Sequence, residues 1–136
     1  MDGKNRFIVP TDYRPPAGAT ELIIVRHPNE YLVALTGDQY DEVHRISLEK
    51  IQDLAERRDF TSLMSHIVRK VPIDRQFRIT LTPQEIEHMG GSDRSIVVKT
   101  GSELSLFEVW SAKRHQESIS ALMREKGKQM VSKIGI

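Results

Sequence analysis

Cysteine is absent from this 136-residue chain. Its absence removes disulfides, thiolate zinc sites and cysteine nucleophiles, and it suits a reducing cytosol. Aromatic residues make up only 6% of the sequence, so any core is mostly aliphatic. No apolar run approaches the ~20 residues that span a bilayer, and the opening "MDGKNR" has no apolar signal-peptide core. Together these features predict a cytoplasmic chain of about one domain, with no membrane partner.

Net charge is also nearly missing, at +1, but its distribution is uneven. Residues 41–59 carry Asp41, Glu42, Glu49, Asp53, Glu56 and Asp59 against four bases. Residues 113–133 carry Lys113, Arg114, Arg124, Lys126, Lys128 and Lys133 against two acids. Each run can be a solvated helix face, and a basic one can also meet phosphates, because phosphate binding follows local charge. Catalytic fingerprints are lacking as well. His27, His44, His66, His88 and His115 show no metal-ligand spacing, and no phosphate loop, dinucleotide fingerprint or nucleophile elbow occurs. The sequence therefore predicts no enzyme, metal, cofactor or small-molecule substrate.

What the chain does have is a segment that occurs twice. "MDGKNRFIVPTDYR" and "PIDRQFRITLTPQEIE" each place an Asp four positions before an Arg, Asp2 before Arg6 and Asp74 before Arg78. An apolar run and then a Pro (Pro10, Pro83) follow each Arg. In the first copy, residues 7–9 read as a buried strand and Pro10 opens a short helix that Pro15-Pro16 stops. "ELIIVRHPNEYLVALTG" reads as a hairpin turning at Pro28 and Asn29. Tyr40, Val43 and Ile46 then share a helical face that Thr36 or Asp38 can cap. Two further helices are expected, one carrying Leu48, Ile51 and Ala55, the other Phe60, Leu63, Met64 and Ile67. The second copy repeats the order. It has a strand "FRITL", a helix with Thr82, Pro83 and Glu85 forming a capping signature, and a break at "GGSD". A hairpin around Thr100-Gly101-Ser102 follows, and then a last helix capped by Ser111, bearing Ile119, Leu122 and Met123 and ended by Gly127. Two copies are too few and too long for a solenoid, so a pseudo-two-fold pair sharing one β core is predicted.

These paired elements resemble those of the MraZ family, in the AbrB-like, swapped-hairpin group of bacterial DNA-binding proteins. The family's first copy reads D-x-K-G-R with a following Pro, matched by Asp2, Lys4, Arg6 and Pro10. Its second reads D-x-x-G-R, matched by Asp74, Arg78 and Pro83. "SLFEVWS" is similar to the family's last strand, and "SLMSHIVRK" falls in its helical linker, so the resemblance covers residues 1–126. It departs at the Gly before each Arg, here Asn5 and Phe77, and in the strand that precedes the first Asp in the family; the second copy keeps its counterpart around Ile67–Ile73, so the difference suggests a start upstream of Met1 or a truncated sheet. Asn tolerates positive φ at small cost. Phe77 should resist it, giving the second turn another geometry and Arg78 another direction.

The resemblance implies an α+β fold, a small swapped-hairpin β-barrel (double-psi-like, AbrB-like) built from two internal repeats with flanking helices. The first repeat would span 1–46, a helical linker 47–70, the second repeat 71–126, and a flexible tail 127–136. The β segments 6–35 and 77–110 would form one barrel-like sheet, with helices over 37–70 and 111–126 outside it. It also implies a sequence-specific, nucleoid-associated transcriptional regulator that binds double-stranded DNA at promoter repeats of the division and cell-wall gene cluster, as a homo-oligomeric ring. Lys4, Arg6, Arg14, Arg75 and Arg78 are the candidate DNA contacts, and Asp2, Asn5 and Asp74 the candidate turn braces. The alternative for each Arg is a purely structural ion pair with its own Asp. Asp2 and Asp74, held acidic by neighbouring bases, are unsuited to general acid catalysis. An AbrB-like antitoxin whose tail folds onto a toxin partner is the alternative function.

Overall fold

The computed structural model describes residues 1–91 and 94–135. Seven strands and four α-helices follow in the order β1 (Arg6–Ile8), β2 (Glu21–His27), β3 (Tyr31–Leu35), α1 (Gly37–Lys50), α2 (Leu54–Ile67), β4 (Val68–Pro72), β5 (Arg78–Thr80), α3 (Pro83–His88), β6 (Ile96–Thr100), β7 (Phe107–Ser111) and α4 (Ala112–Lys133), with a 3-10 turn at Thr11–Tyr13. The fold class is α+β, as expected. The strands form two antiparallel sheets rather than one, a β1–β5 ribbon and a five-stranded sheet ordered β4-β2-β3-β7-β6, and among the described residues they do not close into a barrel.

The two copies meet in both sheets. In the ribbon, Phe7 of one copy faces Ile79 of the other. In the five-stranded sheet the hairpins join through β3 and β7, with Leu32 opposite Val109. The inner faces of both sheets share one core, in which Leu22, Ile24, Leu32, Phe107 and Val109 lie against Val9, Ile79, Leu81 and Met89. Strand alternation puts Val25, Val33, Glu108 and Trp110 on the other side of the sheet, where α1 and α2 run without burying any residue of their own.

Local chemistry accounts for the helix ends. Thr36 and Gln39 form a reciprocal capping box at α1, and Asp53 accepts from the Glu56 N–H to start α2. The helix expected around Leu48, Ile51 and Ala55 does not exist as such. Leu48 belongs to α1, and the break falls at 51–53, where Arg57 donates to the Leu48 and Ile51 carbonyls and so closes the end of α1. Of the expected helical pair only α2 forms as a separate helix, and β4 is the strand expected before the second copy. Thr82 and Glu85 cap α3 reciprocally with Pro83 in its first turn, as the sequence predicts. Gly90 and Gly91 adopt positive φ after α3; Ser92 and Asp93, the rest of the expected break, lie outside the described residues. Gly127 does not end α4, which continues to Lys133, so the tail expected to be flexible is helical there. A glycine inside a helix costs only about 1 kcal/mol relative to alanine, too little to break a helix that runs on for six more residues.

Glu85 ties the copies' surroundings together. It is 3% exposed, accepts from the Thr82 N–H at 2.9 Å, and takes both ends of the Arg69 fork at 2.7 and 3.0 Å. Arg69 is one third exposed, which moderates the penalty for an unpaired charge. Glu85→Ala is expected to lower stability by about 2–3 kcal/mol, read as a fall in the urea midpoint at unchanged slope; an unchanged midpoint would mean that this ion pair contributes nothing.

Candidate functional site

The repeated Asp–Arg segments fold into two equivalent turns. In the first, Asp2 Oδ1 accepts from the backbone N–H groups of Lys4 and Arg6, both at 2.9 Å, and Oδ2 accepts from Arg6 Nε at 2.9 Å. In the second, Asp74 Oδ1 accepts from Gln76 and Arg78 at 2.8 and 2.9 Å, and Oδ2 from Arg78 Nε at 2.8 Å. The residue before each Arg sits in the left-handed region, Asn5 at φ 61° and Phe77 at φ 59°. The expectation that Phe77 forces a different turn is therefore wrong, and Arg78 is held as Arg6 is.

Tertiary contacts override the local preference of Phe77. The left-handed conformation costs a side-chain-bearing residue roughly 1–2 kcal/mol. Against that, the ring packs on the core, and the Arg14 guanidinium lies over it at 4.1 Å from the centroid. Arg14 Nε also donates to the Val9 carbonyl at 3.0 Å. Arg14 thus serves as a clamp on the second turn, which sets it apart from the other candidate contacts. The first turn has a counterpart clamp that the sequence reading missed. Arg94, from the second copy, donates to the Asp2 carbonyl and, at 2.8 Å, to Asn5 Oδ1. Nothing in the sequence marks Arg94, because its partners are 89 and 92 positions away.

The ribbon gathers the remaining candidates. Directly opposed residues of an antiparallel pair share a face, so Arg6, Thr80, Ile8 and Arg78 all lie on the side away from Phe7 and Ile79. The two arginines sit diagonally, two residues apart along the ribbon, or about 7 Å. Among the described residues, no hydrogen bond is made by the terminal nitrogens of either guanidinium. Lys4 and Arg75 are exposed at the two turn tips. Between the arginines lies Ile8, 57% exposed, an apolar side chain with no core to cover it. The site is thus a small face with four bases around one aliphatic side chain, built from residues other than those lining the hollows on the outer side of the large sheet.

Hydrogen bonding controls the two acids. The Arg6 N–H is the main cause that holds Asp2 down at about 2, from its ordinary 3.8. The Arg78 N–H, and then its side chain, lower Asp74 in the same direction. Both are anions at neutral pH, acceptors that brace the turns and no source of protons. Among the described residues, no group of three His, Asp or Glu side chains is placed to hold a metal ion, and no helix is long and apolar enough to cross a membrane. No protein-family model matches the chain.

Because the folded carboxylates titrate below their unfolded value, what they contribute to the turns is complete above 3.8 and is lost as pH falls through about 2 for Asp2. Carboxyl carbon NMR titration is expected to put Asp2 near 2 and Asp74 also below 3.8. In Arg6→Ala the Asp2 midpoint should rise only part of the way, since the backbone N–H remains. A wild-type midpoint at 3.8 would mean the turns are not braced in this way.

Proposed function

We propose that this chain is a sequence-specific DNA-binding transcriptional regulator of the MraZ kind, and that the outer face of the β1–β5 ribbon is its reading surface. One observation carries this most strongly: two arginines on the outer side of a two-stranded ribbon are fixed through Nε to their own Asp, each side chain 32% exposed. That arrangement uses the ion pair as a brace and keeps the donors that a guanine edge or phosphate needs. The major groove, about 12 Å wide, admits a two-stranded ribbon, and a separation of about 7 Å keeps both arginines within one groove. Ile8 between them suits a thymine methyl group. Lys4 and Arg75, at the tips, suit the flanking phosphates.

Within this proposal, the cross-copy pairing of β1 with β5 belongs to a swapped-hairpin arrangement of the AbrB-like kind. The targets are repeated elements in the promoter of a division and cell-wall gene cluster, and the protein works in the cytoplasm on the nucleoid. Four bases release few counterions, so one protomer binds weakly at cellular salt. A homo-oligomer, a ring by the resemblance, reaches useful affinity on repeated sites through effective concentration.

The equivalence of the turns sets the test. Arg6→Ala and Arg78→Ala are each expected to cost about 1–3 kcal/mol of specific binding and to cost equally, with melting temperature nearly unchanged. Lys4→Ala and Arg75→Ala should weaken all sequences alike and flatten the salt dependence. Mobility-shift titrations on a site selected from random duplexes decide this. If no duplex is retained at low salt, the DNA reading is wrong; if Arg6→Ala unfolds the protein, the ion pair is structural first.

A further inference from the structure

The most uneven surface outside the ribbon is α4. Its first turn is anchored, with Arg114 paired to Glu30 and His115 edge-on to Trp110. Beyond that the helix leaves the fold, and Ile119, Met123, Met130 and Ile134 are all exposed, Met123 by 66%. Their spacing of four, seven and four places them on one helical face with Gly127 between. Lys126 and Lys133 flank that stripe, and Arg124 and Lys128 add to a strongly basic end.

A surface of the opposite character lies on the outer face of the large sheet. Two hollows, of about 640 and 370 Å³, meet at Tyr40 and Met64 where α1 and α2 stand over the strands. The smaller is lined mainly by apolar side chains, among them Val25, Leu35, Val43 and Leu104. Glu21 and Asp41 stand in the larger hollow with Lys70, while Glu108 in the smaller one accepts from Trp110 Nε1 at 3.0 Å and lies 4.0 Å from Lys99. The pseudo-two-fold sharpens the contrast. α1 and α4 occupy equivalent positions after their hairpins, and α1 is joined by α2, with His44 against Phe60 at 5.6 Å. No element of the chain plays that part for α4 among the described residues.

We infer that the apolar stripe of α4 docks across the α1–α2 hollows of a second copy of this chain. Met123 to Ile134 spans about 16 Å of helix, and the four strands β4, β2, β3 and β7 under the hollows are about 14 Å across. The stripe supplies methionine and isoleucine to an apolar trough, and its flanking lysines meet Glu21 and Asp41. Because helix and trough are different surfaces of one chain, the contact is head-to-tail, and repetition closes a ring or runs on as a filament. This inference rests on the proposal that copies associate, and it names the surface by which they do so.

The absence of native cysteine makes the contact directly testable. Met130→Cys and Leu104→Cys place single thiols on exposed stripe and trough positions. With a flexible bismaleimide, which tolerates either direction of the helix across the trough, the double variant is expected to give a ladder of covalent multimers. Each single variant should give none, since a head-to-tail contact never brings two equivalent positions together. Cross-linking of Met130→Cys alone would show α4–α4 pairing and overturn the inference. So would assembly by sedimentation with no ladder from the double variant, while a monomer at tens of micromolar would overturn the association proposal itself. As a second measure, Met130→Asp should raise the dissociation constant of the assembly at least tenfold while the melting temperature of the dissociated protomer, read at high dilution, stays unchanged, because Met130 is exposed and outside the protomer core; an unchanged constant would also overturn it.

Discussion

The antiparallel pairing of Arg6–Ile8 with Arg78–Thr80 joins the two copies a second time, across the core from the sheet in which β3 already pairs with β7. Three paired residues on each side are too few to stand alone in water, since an isolated two-stranded ribbon is marginal at best. Here the ribbon closes the core instead. Phe7 and Ile79 bury their side chains beneath it, and the ladder extends at both ends as Val9 donates to the Phe77 carbonyl and Leu81 to the Asn5 carbonyl. Both left-handed residues thereby become part of the ladder, and the strain they carry is borne by bonds that the pairing itself makes. The bases on the outside owe their spacing to the same three pairs.

The clamps add reciprocity to that arrangement. Arg14, from the first copy, covers the left-handed residue of the second turn, while Arg94, from the second, holds that of the first. Each turn is therefore completed by the opposite copy. A candidate list drawn up from charge alone places Arg14 beside Arg6 and Arg78 as an equal. Its bonds separate it from them: a guanidinium committed to a backbone carbonyl and an aromatic face has little left for a ligand.

Much of the architecture was legible where the signal is local. The duplicated Asp–Arg spacing, the Thr82-Pro83-Glu85 cap and the hairpin at Pro28-Asn29 each depend on neighbours within a few positions, and each gives the expected element. The failures share another cause. Phe77 was misjudged because its φ is held by contacts distant in sequence, the core under its ring and Arg14 63 positions earlier, which no turn preference encodes. Gly127 was read as a stop, but a glycine ends a helix only when the following chain turns away, and the residues after it continue the helical pattern. The break between α1 and α2 was displaced because Arg57 reaches back to close α1, a capping contact nine residues long in sequence. Within the site, the acids and the four outward bases could be read from the repeat. Ile8 could not, since an aliphatic residue in a strand looks like core until the register shows which way it faces.

The same ribbon has a consequence for the time course of folding. Ile8 and Arg78 stand seventy positions apart, so pairing them closes a loop at an entropic cost of about 4 kcal/mol. The β2–β3 and β6–β7 hairpins form across short turns and carry no such cost. Non-local contacts of this kind slow folding and concentrate late in it. The charged face is therefore a property of the finished chain alone. A partly folded or half-synthesised molecule can own a complete hairpin and a capped helix, but it presents the first turn without its clamp and the arginines without their spacing.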